Sequence, residues 1–474
     1  MKKSIAAAIL AAAGSAHAQD LFRPAIQFPT DATTTGVAVG DVNGDGLADV
    51  VAGGFSVAAS KVYVFHQRAD RTLNPTPFVY LPQRTVNFVS IGDVTGDGRN
   101  DIVTDGHAAL EVIPQGPGGT LRPSIVYPTL SAAAQLGEFN GDGRLDAVGL
   151  ELGTEPTDVL SFAGISLQNP AGSFDSALFV SLPNGTGADM KVVDLNGDGR
   201  DDLITTNSYQ EPSINIALQT TGGRFRVPIR LQIAPGVNGG AIAAGDVTGD
   251  GRKDLVVSYG INDAPSGHIA IFPQNAGGGF GTPVIRDVPR FATAIQIADV
   301  NADGRQDVLL LHINTVSVSL QDAGCALGTP FEYTMGSNSN GHNFDGLAVA
   351  DLNGDGALDL VGTQSQMNGQ GAVNVAYGIP RVVNRPPVAG ADKASTRRNV
   401  AVTIAVLAND RDPDGDALSL VAVSNPTRGT ARITADRRVK YDPNRNFRGT
   451  DRFMYTISDG RGGTATATVT VIVQ

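Results

Sequence analysis

One nine-residue string, Asp-x-[Asn/Thr]-x-Asp-Gly-x-x-Asp, recurs seven times in the first 380 residues. The copies begin at Asp41, Asp93, Glu138, Asp194, Asp246, Asp299 and Asp351, at intervals of 52, 45, 56, 52, 53 and 52 residues. Self-similarity at such a period marks a repeat array, in which each unit buries its apolar face against its neighbours. The first copy presents Asp41, Asn43, Asp45 and Asp49, and the second Asp93, Thr95, Asp97 and Asp101. The third presents Glu138, Asn140, Asp142 and Asp146, and the fourth Asp194, Asn196, Asp198 and Asp202. The last three present Asp246, Thr248, Asp250 and Asp254, then Asp299, Asn301, Asp303 and Asp307, then Asp351, Asn353, Asp355 and Asp359.

Carboxylates at positions one, five and nine, with Asn or Thr at position three, place hard oxygens on alternate residues of a tight loop. Position seven adds its backbone carbonyl, and Gly at position six permits the sharp turn. Ca²⁺ accepts such a set, taking 6–8 oxygens at ~2.3–2.6 Å. Carboxylates crowded together without a cation would repel, although Asp-Gly hairpin turns without metal also produce this string. An EF-hand is excluded, because no Glu stands at position twelve and no helical periodicity flanks the loops. Short β runs follow instead, such as Val50-Val51 and Leu255-Val256-Val257. Alternating strands ending in Gln come next (Val62 to Gln67, Ile214 to Gln219, Ile269 to Gln274), then a Gly-rich turn and a strand opening with Phe or Leu. Four strands per unit make a propeller blade, and seven units make a seven-bladed β-propeller.

The loops and their framing strands resemble the FG-GAP repeats of integrin α-subunit propellers and the related bacterial VCBS repeats, over residues 21–380. The resemblance implies a closed propeller with Ca²⁺ in the hairpin between the first and second strand of each blade, about seven ions in all. The ligands would be the residues at positions one, three, five and nine named above. Ala302, where the other loops have Gly, and the two Thr residues depart from the usual loop and mark the weaker sites. The seventh blade lacks an outer strand after Val373 to Tyr377. The segment Leu21-Phe22-Arg-Pro-Ala-Ile-Gln-Phe28 has the outer-strand form of Phe225 to Leu231 and is expected to complete that blade.

After a Pro-containing linker (381–387), residues 388–474 hold about seven short strands, the pattern of an Ig-like sandwich without its disulfide. Phe453, Tyr455 and Ile457 share a face expected in its core. The strings Ala408 to Asp416, Tyr441-Asp442-Pro443 and Asp459 to Gly463 look like bacterial cadherin-like and Ig-like adhesin modules. In that family the acidic loop holds Ca²⁺, which would make Asp410, Asp412, Asp414 and Asp416 ligands; a solvated acidic turn explains the same residues.

Lys2 and Lys3, the apolar run from Ile5 to Ala13 and Ala16-His17-Ala18 form a secretory signal with cleavage after Ala18. The run is shorter than the ~20 residues a membrane helix needs. The mature protein is therefore expected to be secreted or periplasmic and monomeric. The net charge of −12 disfavours nucleic acid and anionic membranes as partners. Its single Cys excludes an intrachain disulfide framework. No His has the spacing of a zinc site or of a Ser/His/Asp arrangement. The expected function is calcium-stabilised binding or adhesion, not catalysis, toward an extracellular protein or glycan. A polysaccharide-active enzyme or a lectin is the alternative; the absence of Trp removes the commonest sugar platform. The face opposite the Asp loops should recognise the ligand, with Tyr209, Tyr259, Asn262, Asp263, His342 and Gln366 as candidates.

Overall fold

The computed structural model describes residues 21–55, 60–106, 109–128, 135–151, 160–175, 178–183, 187–207, 213–233, 238–260, 267–335, 346–365, 369–381, 384–460 and 463–474. They divide into two units, with the boundary between Arg381 and Val382.

The second strand of each repeat is buried along nearly all of its described length because both of its faces are covered by neighbouring sheets. Asp49–Phe55 (DVVAGGF) and Asp254–Gly260 (DLVVSYG) are examples. Strands buried on both faces read as continuous apolar runs, whereas half-exposed ones alternate. Around each such strand the first unit builds a four-stranded antiparallel sheet, and there are seven of them among the described residues. The first comprises Thr33–Gly40, Asp49–Phe55, Lys61–Phe65 and Phe78–Tyr80 in that order. The first strand of every sheet touches the first strand of the next, and Leu347–Ala350 of the seventh returns to Thr33–Gly40. The sheets therefore close into a ring, an all-β propeller. Its core lies between successive sheets, as where Ile204, Ile214 and Ile216 of one meet Ile242, Leu255 and Val257 of the next.

The N-terminal segment supplies the outer strand of the seventh sheet. Ile26–Thr30 runs antiparallel to Gly371–Ala376, with Ile26 opposite Val375 and Thr30 opposite Gly371. Upstream, Phe22 bridges to Gly378, and its ring stands edge-on to Tyr333 at 5.1 Å. Leu21 and Phe22 are buried in a cluster with Leu309, Leu311 and Val316 of the sixth sheet and Leu360 and Ala376 of the seventh.

The second unit is a seven-stranded sandwich. One sheet holds Asp392–Thr396, Thr464–Val473, Gly449–Ser458 and Ser419–Val423; the other holds Val402–Ile404, Val439–Pro443 and Gly429–Ile433. Phe453, Tyr455 and Ile457 pack with Tyr441, Val469 and Val471 at its centre. Part of the stretch read as a linker belongs to this unit. Asn384 donates to Asp459 at 2.6 Å, and Arg385 pairs with Asp414 at 2.7 Å.

Phe22→Ala removes a buried ring at the seam where the propeller closes, and such truncations cost roughly 3–5 kcal/mol. Equilibrium urea denaturation should show that loss, while Leu81→Ala, at a residue 64% exposed, should leave the midpoint nearly unchanged.

Candidate metal sites

Each Asp loop is the connection between the first two strands of a sheet, and it reverses the chain through two left-handed residues. In the first loop these are Gly44 (φ 77°) and Gly46 (φ 79°). In the sixth loop the earlier of the two is Ala302, at φ 57°, a conformation that costs an L-residue about 1 kcal/mol or more.

The carboxylates first organise the backbone. The position-one carboxylate receives the N–H of position six: Gly46 on Asp41 at 2.8 Å, Gly251 on Asp246 at 2.7 Å and Gly356 on Asp351 at 2.9 Å. Glu138, one methylene longer, receives Asn140 at 2.9 Å and Asp142 at 3.2 Å instead. The position-five carboxylate receives the N–H of position seven, as Leu47 on Asp45 at 2.8 Å. In the five loops with Arg at position seven (Arg99, Arg144, Arg200, Arg252 and Arg305), its guanidinium also pairs with the position-five carboxylate.

Position nine is the anchor. Asp49, Asp101, Asp146, Asp202, Asp254, Asp307 and Asp359 are all fully buried. One oxygen of each accepts the N–H of position two, as Leu352 on Asp359 at 2.8 Å and Phe139 on Asp146 at 2.9 Å. The other accepts the N–H that follows the third strand, as Gln219 on Asp202 at 2.7 Å and Gln321 on Asp307 at 2.8 Å. Burial pushes four of these acids up, to about 6 in Asp146, Asp202 and Asp359 and about 7 in Asp307, and the carboxylates at positions one and five add repulsion in the loops of Asp146, Asp202 and Asp307. Asp101 and Asp254 shift the same way by burial.

The donor set fits a hard cation, being oxygen throughout. Thr95 and Thr248, at position three, each bury a hydroxyl without a hydrogen bond of ordinary geometry, yet near enough to Asp101 and Asp254 to offset part of the upward shift of those acids. In the second unit, buried carboxylate oxygens of Asp410 and Asp412 have no hydrogen-bond partner. Asp412, Asp414 and Asp416 bring one oxygen each within 4.8 Å of the others, the only such acidic triad among the described residues. The propeller loops hold their carboxylates farther apart, each turned onto amides.

Neighbouring loops are joined. The side chain of the Gln after a third strand donates to the loop of the preceding sheet: Gln274 to Leu195 O at 2.9 Å, Gln219 to Glu138 O at 3.2 Å, and Gln67 to Leu352 O. Position eight does the same, with Lys253 on Asp194 O at 2.6 Å and Asn100 on Asp41 O at 3.1 Å. Residue spacing alone did not single out His66. Its Nδ1 lies 3.3 Å from Asp49 and 3.2 Å from the Asn43 amide, and its pKa is raised by the hydrogen bond to Asp49. The signal was its place immediately before Gln67, beside the loop.

Of the residues expected on the opposite face, Tyr209, Asn262, Asp263, His342 and Gln366 lie outside the described residues. Tyr259 is buried, with its ring stacked on His268 at 5.2 Å. The closest Ser–His arrangement is His312 Nε2 to Ser317 Oγ at 2.5 Å, with Nδ1 donating to Phe291 O, and both side chains are sealed from solvent.

Residues 194–257 and 299–362 match the FG-GAP-like repeat, and residues 384–472 match the bacterial Ig domain. The chain thus carries FG-GAP-like repeats, in stretches containing four of the seven loops, and a C-terminal bacterial Ig domain. A search of the curated proteins finds no match. Similar solved structures include an Agrocybe aegerita lectin that recognises non-reducing terminal N-acetylglucosamine (19% identity, 66% of this chain and 90% of that one, TM-score 0.46). Others are the V. cholerae biofilm matrix protein Bap1 (11%, 74% and 88%, TM-score 0.39) and the Dos1 propeller (10%, 74% and 95%, TM-score 0.43).

Two outcomes follow from the loops themselves. Ala302→Gly relieves the left-handed strain and should stabilise the chain by about 1 kcal/mol in urea denaturation. In chelator, acids whose folded pKa is raised above the ordinary aspartate value bind more protons folded than unfolded, so stability should fall as pH rises from about 4 to 7. With millimolar Ca²⁺ the trend should reverse, because protons then compete with the cation; parallel pH–melting curves with and without chelator check this.

Proposed function

We propose that this chain, a propeller of FG-GAP-like repeats followed by a bacterial Ig domain, is an exported binding or adhesion protein whose recognition surface depends on Ca²⁺. The observation that carries the reading is the contrast between the two ends of the sheets. On one face every loop from the first to the second strand has the same length, eight residues, as between Gly40 and Asp49 and between Gly245 and Asp254. Among the described residues, six of the seven neighbouring pairs of those loops are hydrogen-bonded to one another. On the other face the connections vary, with two residues between Gly106 and Ala109, eight between Glu151 and Leu160, and twelve between Thr334 and Leu347. Variable loops on a rigid scaffold are where binding concentrates.

Ca²⁺ at positions one, three, five and nine would supply positive charge to loops whose carboxylates otherwise repel. This chain's residues do the rest. Position-nine acids hold the ends of the first two strands in register, and the Gln and position-eight side chains tie six of the seven neighbouring loop pairs together. The varied face is thereby presented on a stiff ring. The acidic triad of the Ig domain is a candidate for a further ion. Secretion rests on the N-terminal Lys-Lys, apolar run and Ala-His-Ala.

Glycan-array and protein-adhesion assays on the full chain, with Ca²⁺ and with chelator, test the proposal. Binding should disappear in chelator and return when Ca²⁺ is restored, together with a melting shift of several degrees. At ~100 times its dissociation constant a ligand stabilises by ~2.7 kcal/mol. A melting curve and binding profile indifferent to chelator would overturn it.

A further inference from the structure

The net charge of −12 conceals a division. Residues 382–474 carry 14 Lys and Arg against 9 Asp and Glu, a balance of +5, while residues 1–381 carry −17. Within the Ig domain the charges are sorted by strand direction. Gly449–Ser458 runs from one pole to the other, about 33 Å at ~3.3 Å per residue. The pole near Ser458 gathers Asp459 and the loop of Asp410, Asp412, Asp414 and Asp416, and the chain enters the domain there through Asn384 and Arg385. The pole near Gly449 is basic.

Two turns build the basic pole. Asn399 and Asn446 both sit in left-handed backbone (φ 64° each) at their centres, and they are hydrogen-bonded to each other: Asn446 N–H to Asn399 Oδ1 at 2.7 Å, Asn399 Nδ2 to Asn446 Oδ1 at 3.3 Å. A third segment joins through Asn444 N–H to Arg428 O at 2.8 Å. This arrangement gathers Arg397, Arg398, Arg428, Arg445 and Arg448, all exposed, and none forms an ion pair among the described residues. Nearby acids are engaged. Asp451 is buried, accepting from Arg428 N–H and Tyr441 Oη, and Asp442 lies 3.9 Å from Lys440. Gln474 also lies at this pole, accepting Arg398 N–H at 2.8 Å; the five guanidinia outnumber the one carboxylate that it carries as the last residue here, and they repel one another. Their placement at the end remote from chain entry, on a chain otherwise acidic, is matched by an anionic partner.

We propose that this pole is a docking surface for an acidic polysaccharide, a polymer repeating carboxylate and hydroxyl groups. Guanidinium forks bind carboxylates bidentately. The exposed Asn444 amide beside them can bond hydroxyls. Nucleic acid is less well matched, because the pole's one aromatic, Phe447, is half-buried and offers no stacking platform. The proposal does not depend on Ca²⁺ in the propeller or on what the propeller binds.

The test uses the full chain on immobilised polygalacturonate in 50 mM and 500 mM salt. Wild type should bind at low salt and be released at high salt. Arg397→Gln/Arg398→Gln/Arg445→Gln/Arg448→Gln should lose ~10-fold or more in affinity, as removal of several cation contacts to a polyanion does, with an unchanged melting curve. Arg432→Gln/Arg437→Gln/Arg438→Gln, elsewhere on the same domain, should bind within ~2-fold of wild type. Failure of wild type to bind, retention by the fourfold variant, or equal loss in the control variant would overturn the proposal. So would retention of DNA or RNA duplexes in place of the uronate polymer.

Discussion

A buried carboxylate that accepts two backbone N–H groups is the interaction on which the propeller depends. At position nine of every loop, one oxygen fastens the end of the first strand and the other fastens the end of the third. A single side chain thus sets the register of three strands, and the outermost strand needs only to add to them. The acid is buried because it stands at the start of the most covered strand in the sheet, and burial raises the pKa of Asp101, Asp146, Asp202, Asp254, Asp307 and Asp359. In the loops of Asp146, Asp202 and Asp307 the carboxylates at positions one and five raise it further. A cation bound beside these acids would therefore couple its own affinity to the fold that they organise.

Much of this was legible in the sequence because the physics is local. A nine-residue loop with paired Gly positions and oxygen side chains at fixed offsets shows itself in one dimension, and so does the apolar run that follows. The Leu21 to Phe28 pattern was legible for the same reason, since it repeats the form of Phe225 to Leu231. Other features depend on neighbours in space. That Gln274 reaches the preceding loop at Leu195, or that His66 stands against Asp49, requires the ring. The Arg at position seven shows in sequence only as one more charge; the fold shows it folded back onto position five. The stretch 384–387 looked like linker because Pro-rich composition is read without its partners, Asp459 and Asp414.

Net charge misleads for a related reason. Averaged over the chain, the balance argues against any polyanion. Divided at Arg381, it leaves one acidic and one basic unit, and inside the basic unit the strand order separates the signs again. Coulomb interactions decay within about 10 Å at ordinary ionic strength. A partner approaching the turns at Asn399 and Asn446 therefore responds to the arginines beside them and is screened from the distant acids.

The ring is not symmetric in how its seams are held. The third strand ends in Gln in six sheets, and five of those side chains bond to the loop of the sheet before. The sixth, Gln115, buries its amide nitrogen unbonded near Gly44. In the seventh sheet Gly378 stands at that place, giving its N–H to Asp359 at 2.7 Å but having no side chain to reach the sixth loop. A side chain there would collide with Leu358 O and Ala357, so Gly is required by the close approach of the loop. The lost polar staple is replaced by apolar contact, as Leu21 and Phe22 fill the space between sheets six and seven and Leu21 N–H reaches Tyr333 Oη at 3.2 Å. A burial of this kind is non-directional and tolerates small shifts of the sheets. Loop-to-loop hydrogen bonds hold the other six seams, while between sheets six and seven this apolar burial stands beside the bond from Gln296 Nε2 to Leu347 O at 2.8 Å.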